Sequence, residues 1–300
     1  MRVTQNMMSN VFVRNLRKQV GQMLQRQEQI ASQKRINRPS DDPAGAARVL
    51  DGRATLAAID QYQENIRGGK MRLETQEEVL TLVDDLVRQA RGLAEENSGE
   101  EVAAGQRALA AARVKEIYDQ VMQLANSRHG GRYMFAGHQT GTAPFSRGAD
   151  YTASYAGDGG SLRVPIAEGI EVGIDADGRN YFQGAGVAGG VDIFAQLKEL
   201  IDGLESSDPA RIQATVEPLD AAHAQVMDKR TEASPKLYRF QATEQHWTNF
   251  RARVREAIGR EEDTDLTQAI VELKNLETAY QASMAAAARI IQPGLVNFLK

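Results

Sequence analysis

The chain has no cysteine in its 300 residues, which excludes disulfides, thiolate nucleophiles and cysteine-ligated zinc. Aromatic residues make up only 6%, with a single tryptophan, which favours long helices burying narrow stripes over a thick globular core. No apolar run approaches the roughly eighteen residues that would suggest a membrane-spanning helix. The opening "MRVTQNMMSNVFVRNLRK" lacks the unbroken apolar segment of a cleavable signal peptide. No signal peptide and no membrane insertion are therefore expected. Proline is also scarce, at eight positions, yet two of these flank paired aspartates in "NRPSDDPAG", residues 37–45.

With 42% apolar and 25% charged residues, the chain can fold and stay in solution. The net charge of −4 hides an asymmetry. Residues 1–39 hold eight Lys or Arg against one acid, Glu28, so this arm carries +7 and the remainder −11. Arg14, Arg17 and Lys18 form its centre. Such an arm can serve nucleic acid or anionic lipid. The alternative is a solvated helix face, and the arm lacks the Trp, Phe and Leu face of an interfacial helix.

The arm reads as a heptad helix over 1–36, with Val13, Leu16, Val20, Met23 and Ile30 as its seam and Gln27 in the remaining position. So thin a stripe is marginal until a partner covers it. A second helix, 44–97, keeps one register through Ile59, Tyr62, Ile66, Leu73, Leu80, Val83 and Val87; at 1.5 Å per residue it is a rod of roughly 80 Å. A third, 102–127, ends near Gly130, which suits a C-cap. Asp208 and Pro209 read as the N-cap and first residue of a long helix to 261, which Pro218 and Pro235 should bend or interrupt. A last helix, 264–292, has the seam Leu266, Ile270, Leu273, Tyr280, Met284, Ala287 and Ile291.

Between the helices, residues 131–190 turn Gly-rich with short β-like runs, "RYMFAG", "YTASYAG", "SLRVPI", "GIEVGI" and "NYFQ". "DADG" (175–178) predicts a hairpin turn centred on Asp177-Gly178. The fold expected is mainly α: long antiparallel helical rods with paired N- and C-terminal coiled-coil segments and a small inserted β-rich domain. The expected boundaries are 1–40 with 264–300 for the terminal coiled coil, 41–130 with 191–263 for the helical rods, and 131–190 for the insert.

No motif argues for catalysis, a metal or a cofactor. "GAGVAG" (184–189) matches G-x-G-x-x-G and precedes a helix, but a dinucleotide site needs a following parallel strand, and the chain runs on through helix. "DADGRN" begins like a calcium loop, which requires Gly at position 6 and Glu at position 12; Asn180 and Gly186 stand there. His129, His138, His223 and His246 have no metal-ligand spacing.

In the proline-flanked stretch, Pro39 stops the arm helix. Ser40, Asp41 and Asp42 then offer oxygens to the free N–H groups of the next helix, with Pro43 at its first position. "MRVTQNMM", "QIASQKRINRPSDDPAGAARVL" (29–50) and "QYQEN" (61–65) together resemble the N-terminal signature of the flagellin superfamily. The prolines around Ser40–Asp42 look like its hook–filament junction branch. "GGRYMFAGHQTGTAPF" (130–145) and "LETAYQASMAAAARI" (276–290) are similar to that branch's approach to its β domain and its C-terminal coiled coil.

The resemblance implies a structural adaptor of the bacterial flagellum and no enzyme. It implies export without a cleaved signal by the flagellar type III route and an extracellular location. The implied partners are copies of itself in a ring, flagellin, the other hook-associated junction protein and an export chaperone; nucleic acid is not among them. The corner Pro39–Pro43 would be the hinge between inner and outer rods. The alternative is flagellin, the bulk filament subunit.

Overall fold

The computed structural model describes residues 5–174 and 177–291. Helices dominate: α1 (Gln5–Ser32), α2 (Pro43–Asn97), α3 (Ala104–Ala125), α4 (Gly178–Phe182), α5 (Ile193–Glu205), α6 (Pro209–Ala214), α7 (Val216–Glu262) and α8 (Leu266–Ile291). The strands are β1 (Arg128–His129), β2 (Arg132–Tyr133), β3 (Phe145–Arg147), β4 (Ala153–Tyr155), β5 (Arg163–Ala167) and β6 (Ile170–Gly173). The chain divides into two compact units, residues 1–59 with 248–300 and residues 60–247.

The larger unit is built on a heptad stripe of α2: Leu80, Val83, Val87, Ala90 and Ala94. This meets Val114, Tyr118 and Val121 of α3, Leu197, Leu200, Ile201 and Leu204 of α5, and Leu219, Ala222 and Val226 of α7. Each large apolar side chain so buried contributes roughly 1.5–3 kcal/mol. Asp192 caps α5 by accepting from the N–H groups of Phe194 and Ala195, and Asp208 caps α6 with Pro209 at its start. The helix expected to run from 209 to 261 is instead broken at Thr215. Pro218 has no N–H for the carbonyl of Ala214, so the chain restarts at Val216 with the proline in the first turn of α7, where that donor would lack a partner anyway. Beyond it, α7 continues through Pro235.

The strands form three separate two-stranded antiparallel ribbons: β1 with β2, β3 with β4, β5 with β6. Gly130 and Gly131, at φ 57° and 78°, make the tight turn of the first ribbon, since a primed hairpin turn needs φ > 0 at both central residues. Gly130 therefore does not cap α3; Asn126 does. Glu168-Gly169 turns β5 into β6, with Gly169 at φ 67°. Asp177-Gly178 is not the centre of a hairpin: Asp177 caps α4 by accepting from the N–H of Arg179. "NYFQ" consequently lies in and just beyond a helix. Residues 175 and 176 of that expected turn lie outside the described residues.

Two apolar contacts fasten the ribbons to the helices. Phe135, Phe145, Phe182 and Phe194 form a ring cluster with centroids 5.0–6.1 Å apart. Ile166, Val172 and Ile174 pack on Ile66, Leu73 and Phe240. Trp247 stacks on Tyr62 at 5.4 Å and donates its indole N–H to the carbonyl of Ile166 at 2.8 Å.

Candidate assembly surfaces

In the smaller unit α1 and α8 lie antiparallel. Gln19 donates to Ser283 Oγ at 3.2 Å, and one turn pair further along α1, back along α8, Arg26 reaches Glu272 at 2.8 Å. The half-buried stripe of α1 runs Phe12, Leu16, Gln19, Met23, Arg26, Ile30; that of α8 runs Ala269, Leu273, Leu276, Tyr280, Ser283, Ala287. Both alternate by four and three residues, the spacing of a two-helix seam.

Of the positions read as seam, Leu16, Met23, Ile30, Leu273 and Tyr280 lie in this pair. Val13 and Val20 are 41% and 38% exposed, and Ile270 and Met284 are 54% and 46% exposed, with Leu266 exposed as well. Phe12 and Gln19 stand in the pair where Val13 and Val20 were expected, and Ala269, Leu276 and Ser283 do so on α8, where Ala287 lies in the seam as expected. Ile291 closes α8, but its side chain lies outside the described residues. Either register of α1 contains polar residues, Gln27 in one and Gln19 with Arg26 in the other, so periodicity alone could not choose between them.

The displaced residues share a direction. At about 100° per residue, Val13, Val20 and Leu24 sit roughly 80–120° round α1 from its seam centre. Leu266, Ile270 and Met284 sit roughly 60–100° round α8 in the same rotational sense. On an antiparallel pair, flanks of the same sense fall on the same face. The pair therefore buries one stripe and leaves a second apolar band open. Arg14, Arg17 and Lys18 are exposed on the side of α1 away from α8. Among the described residues none of the three is ion-paired.

At the corner, Pro39 and Ser40 form a turn closed by the N–H of Asp41 on the carbonyl of Arg38 at 2.9 Å. The aspartates point to opposite sides. Asp42 caps α2, accepting from the N–H of Gly45 at 2.9 Å, with Pro43 at the first position. Asp41 instead turns back, accepting from the N–H groups of Asn37 at 3.1 Å and Arg38 at 2.9 Å, and Ser40 is exposed in the turn. Only one carboxylate can occupy the cap position, so Asp42 alone serves the next helix. The bond from Gly45 and the Arg35 guanidinium at 3.1 Å hold the Asp42 carboxyl below the usual carboxylate range.

The corner is also tied to the far end of α7, which no local pattern in the sequence indicates. The N–H of Arg35 donates to the carbonyl of Glu262 at 2.6 Å, and that of Thr264 to Gln33 at 3.0 Å. Arg48 holds Glu261 with two bonds of 3.0 and 2.9 Å and keeps its carboxyl below the usual range. Glu262 receives Lys34 at 2.8 Å and Arg53 at 2.6 Å.

Packing here is close. A Cβ on Gly45 would stand 2.6 Å from both Asp42 Oδ2 and Ile36 Cδ1, whereas one on Gly68, also in α2, would meet nothing within 4 Å. Alanine normally gains about 1 kcal/mol over glycine inside a helix. Gly68→Ala should raise stability by about 0.5–1 kcal/mol. Gly45→Ala should lower it by about 1 kcal/mol or more, because overpacking outweighs the helical gain. Paired urea titrations followed by circular dichroism would read the opposite signs.

"GAGVAG" is a chain of turns with Gly184, Gly186 and Gly189 all at positive φ. The helix after it already has its first N–H groups filled by Asp192, where a phosphate would have to sit. His129 lies 3.3 Å from Thr75, His138 bonds Ser161, His223 bonds Asp84, and His246 packs edge-on against Trp247. Among the described residues no three His, Cys, Asp or Glu could hold a metal ion.

Against known proteins, residues 3–140 match the family described as the bacterial flagellin N-terminal helical region. The chain is 27% identical over 216 residues to the flagellar hook-associated protein 3 of Escherichia coli, covering 69% of this chain and 67% of that protein. It is 30% identical over 148 residues to the protein of the same name from Salmonella typhimurium, covering 49% and 47%. Its fold is similar to that of a flagellar hook-associated protein from Vibrio parahaemolyticus, with a TM-score of 0.68 at 22% identity over 74% of this chain and 100% of the other.

Proposed function

Since residues 3–140 match the flagellin N-terminal helical region and the chain is similar to flagellar hook-associated protein 3, we propose that it belongs to that family and polymerises at the hook–filament junction as a short layer of structural subunits. The family is one of structural flagellar proteins rather than enzymes. In this reading its neighbours are copies of itself, flagellin and the other hook-associated junction protein. An export chaperone delivers it by the flagellar type III route to the extracellular flagellum. The paired termini, 1–40 with 264–300, form the inner part. The helices of 41–130 and 191–263 form the helical rods and 131–190 the β-rich outer insert, with Pro39–Pro43 as the hinge.

The observation that carries this reading is the second apolar band on the α1–α8 pair. Val13, Val20, Leu24, Leu266, Ile270 and Met284 stay exposed after the two helices have met. A terminal pair so incompletely covered gains most of its stability when neighbouring subunits close over the band, which couples its ordering to assembly. The exposed cations Arg14, Arg17 and Lys18 would then face acidic surface on a neighbour, and charge reversal there should weaken assembly more at low salt than at high salt.

The test is addition of the purified chain to sheared hook and filament ends, viewed by electron microscopy. The wild type should add a short cap and stop, and Ile270→Asp or Val20→Asp should abolish addition. Leu109→Asp, at an exposed position of the larger unit, should not. Growth of long filaments would instead identify a flagellin, the alternative reading. Unimpaired addition by Ile270→Asp and Val20→Asp would remove the band from the mechanism.

A further inference from the structure

We propose that Glu262 is the positioning residue of the corner: its charged carboxylate holds the two linkers, 33–36 and 262–264, together, and its protonation releases them. The inference concerns the isolated chain and does not depend on which neighbours it meets.

Three segments converge on this one side chain. Glu262 ends α7, Lys34 belongs to the linker after α1, and Arg53 lies on α2. Lys34 Nζ stands 2.8 Å from Oε1, and the Arg53 guanidinium contacts Oε1 at 2.6 Å and Oε2 at 2.9 Å. The carboxylate side chain is only 9% exposed, whereas Lys34 and Arg53 are 43% and 50% exposed. The backbone pairing beside it is short. Lys34 and Asp263 face each other as an isolated antiparallel bridge, flanked by the bonds Arg35 N–H to Glu262 O and Thr264 N–H to Gln33 O. A bridge of that length has little stability of its own, so its position rests on the side chains around it: the ion pairs of the buried Glu262 carboxylate, with the Arg35 guanidinium on the Glu261 carbonyl at 2.8 Å and the Gln29 amide on the Arg35 carbonyl at 2.9 Å.

Every other charge at the corner is more exposed. From the linker comes Arg35, from α2 Arg48, from the cap Asp42, from α7 Glu261 and from just beyond it Asp263. Exposed pairs are screened and contribute little. Glu262 is the member whose neutralisation leaves two cations facing a buried, uncharged group.

Burial pushes the Glu262 carboxyl up, but the bonds from Lys34 and Arg53 outweigh it and hold it below the usual range. The contribution is therefore fully present above the unfolded value of about 4.3 and is lost as pH falls through the lower folded value. Glu261 and Asp42 shift in the same sense.

The experiment is amide hydrogen exchange read by mass spectrometry on the full chain from pH 3 to pH 7, corrected for intrinsic rates. Peptides covering 33–36 and 262–266 report the corner, and peptides of α3 report the fold. In the wild type, corner protection should fall at least about tenfold below pH 4 while α3 holds, the size of one lost charge-assisted bond. Glu262→Gln should show the lower protection at every pH, with a flat profile. Glu261→Gln should keep the wild-type fall. Should Glu262→Gln lose α3 protection as well, Arg53→Met tests the idea from the other side: with a cation removed, the fall should move to higher pH. A pH profile of Glu262→Gln that tracks the wild type, or an Arg53→Met profile that does not move, would overturn the proposal.

Discussion

Phe182→Ala should lower the unfolding free energy by about 3–5 kcal/mol, the range for deleting a fully buried aromatic side chain. Phe182 has no exposed surface, and its ring lies 5.0 Å from Phe135, 5.4 Å from Phe145 and 6.1 Å from Phe194. These come from the segment after β2, from β3 and from α5, so one ring joins strand and helix layers. The void cannot collapse easily. Gly178, one turn earlier in α4, is wedged against Tyr155, the Phe135 carbonyl and Phe145, each 2.6–2.8 Å from where its Cβ would stand. Phe182→Leu keeps part of the volume and should cost about half as much. Leu109→Ala, on the exposed face of α3, should fall within about 0.5 kcal/mol of wild type. Urea titrations read by circular dichroism would measure all three. A Phe182→Ala loss below about 1 kcal/mol would mean that the ring cluster does not hold the ribbons to the helices.

The helices were legible because each carries its own period. The stripe from Ile59 to Val87 in α2 is read directly from spacing, and the caps Asp208 and Pro209 mark a helix start from local chemistry alone. The ribbons were legible as β and Gly-rich but not in detail. "DADG" offers turn residues, yet Asp177 is recruited as a helix cap because the chain beyond it must enter α4, and Gly178 is there for want of space rather than for a turn. The seam of α1 was legible to within one residue, and a heptad interrupted by glutamines leaves that residue undetermined. Glu262 was not legible at all. Its partners Lys34 and Arg53 are more than two hundred residues away in sequence, and an acid pair at a helix end otherwise reads as ordinary surface. Long-range ion pairs leave no period and no motif, so only the folded chain reveals them.

Arg107→Ala should cost about 3 kcal/mol or more, and the reason differs from that for Phe182. Arg107 is 4% exposed, and its guanidinium donates to three carbonyls: Asn97 at 3.1 Å, Gly99 at 2.6 Å and Ser207 at 3.1 Å. Asn97 is the last residue of α2, so the cation also sits at the negative end of that helix. Ser207 is held at φ 51°, a conformation that a residue bearing a Cβ adopts at some cost and that the arginine helps to fix. Removing the side chain takes the guanidinium donor from the buried Asn97 carbonyl, at about 1–3 kcal/mol, loses the bonds to the part-buried Gly99 and Ser207 carbonyls, and adds a cavity. Arg107→Met restores most of the apolar volume but no donor, so it should recover only the cavity share. Arg107→Lys keeps the charge, but a single ammonium cannot span carbonyls on both sides of the planar fork, and it should fall between the two. Stability from urea titration should thus rank wild type, Lys, Met, Ala. Hydrogen exchange should rise first in 97–103 and 206–209, while the α2 heptad around Val83 stays protected. Equal stability of Arg107→Met and wild type would show that packing, not the three carbonyls, is what the arginine supplies.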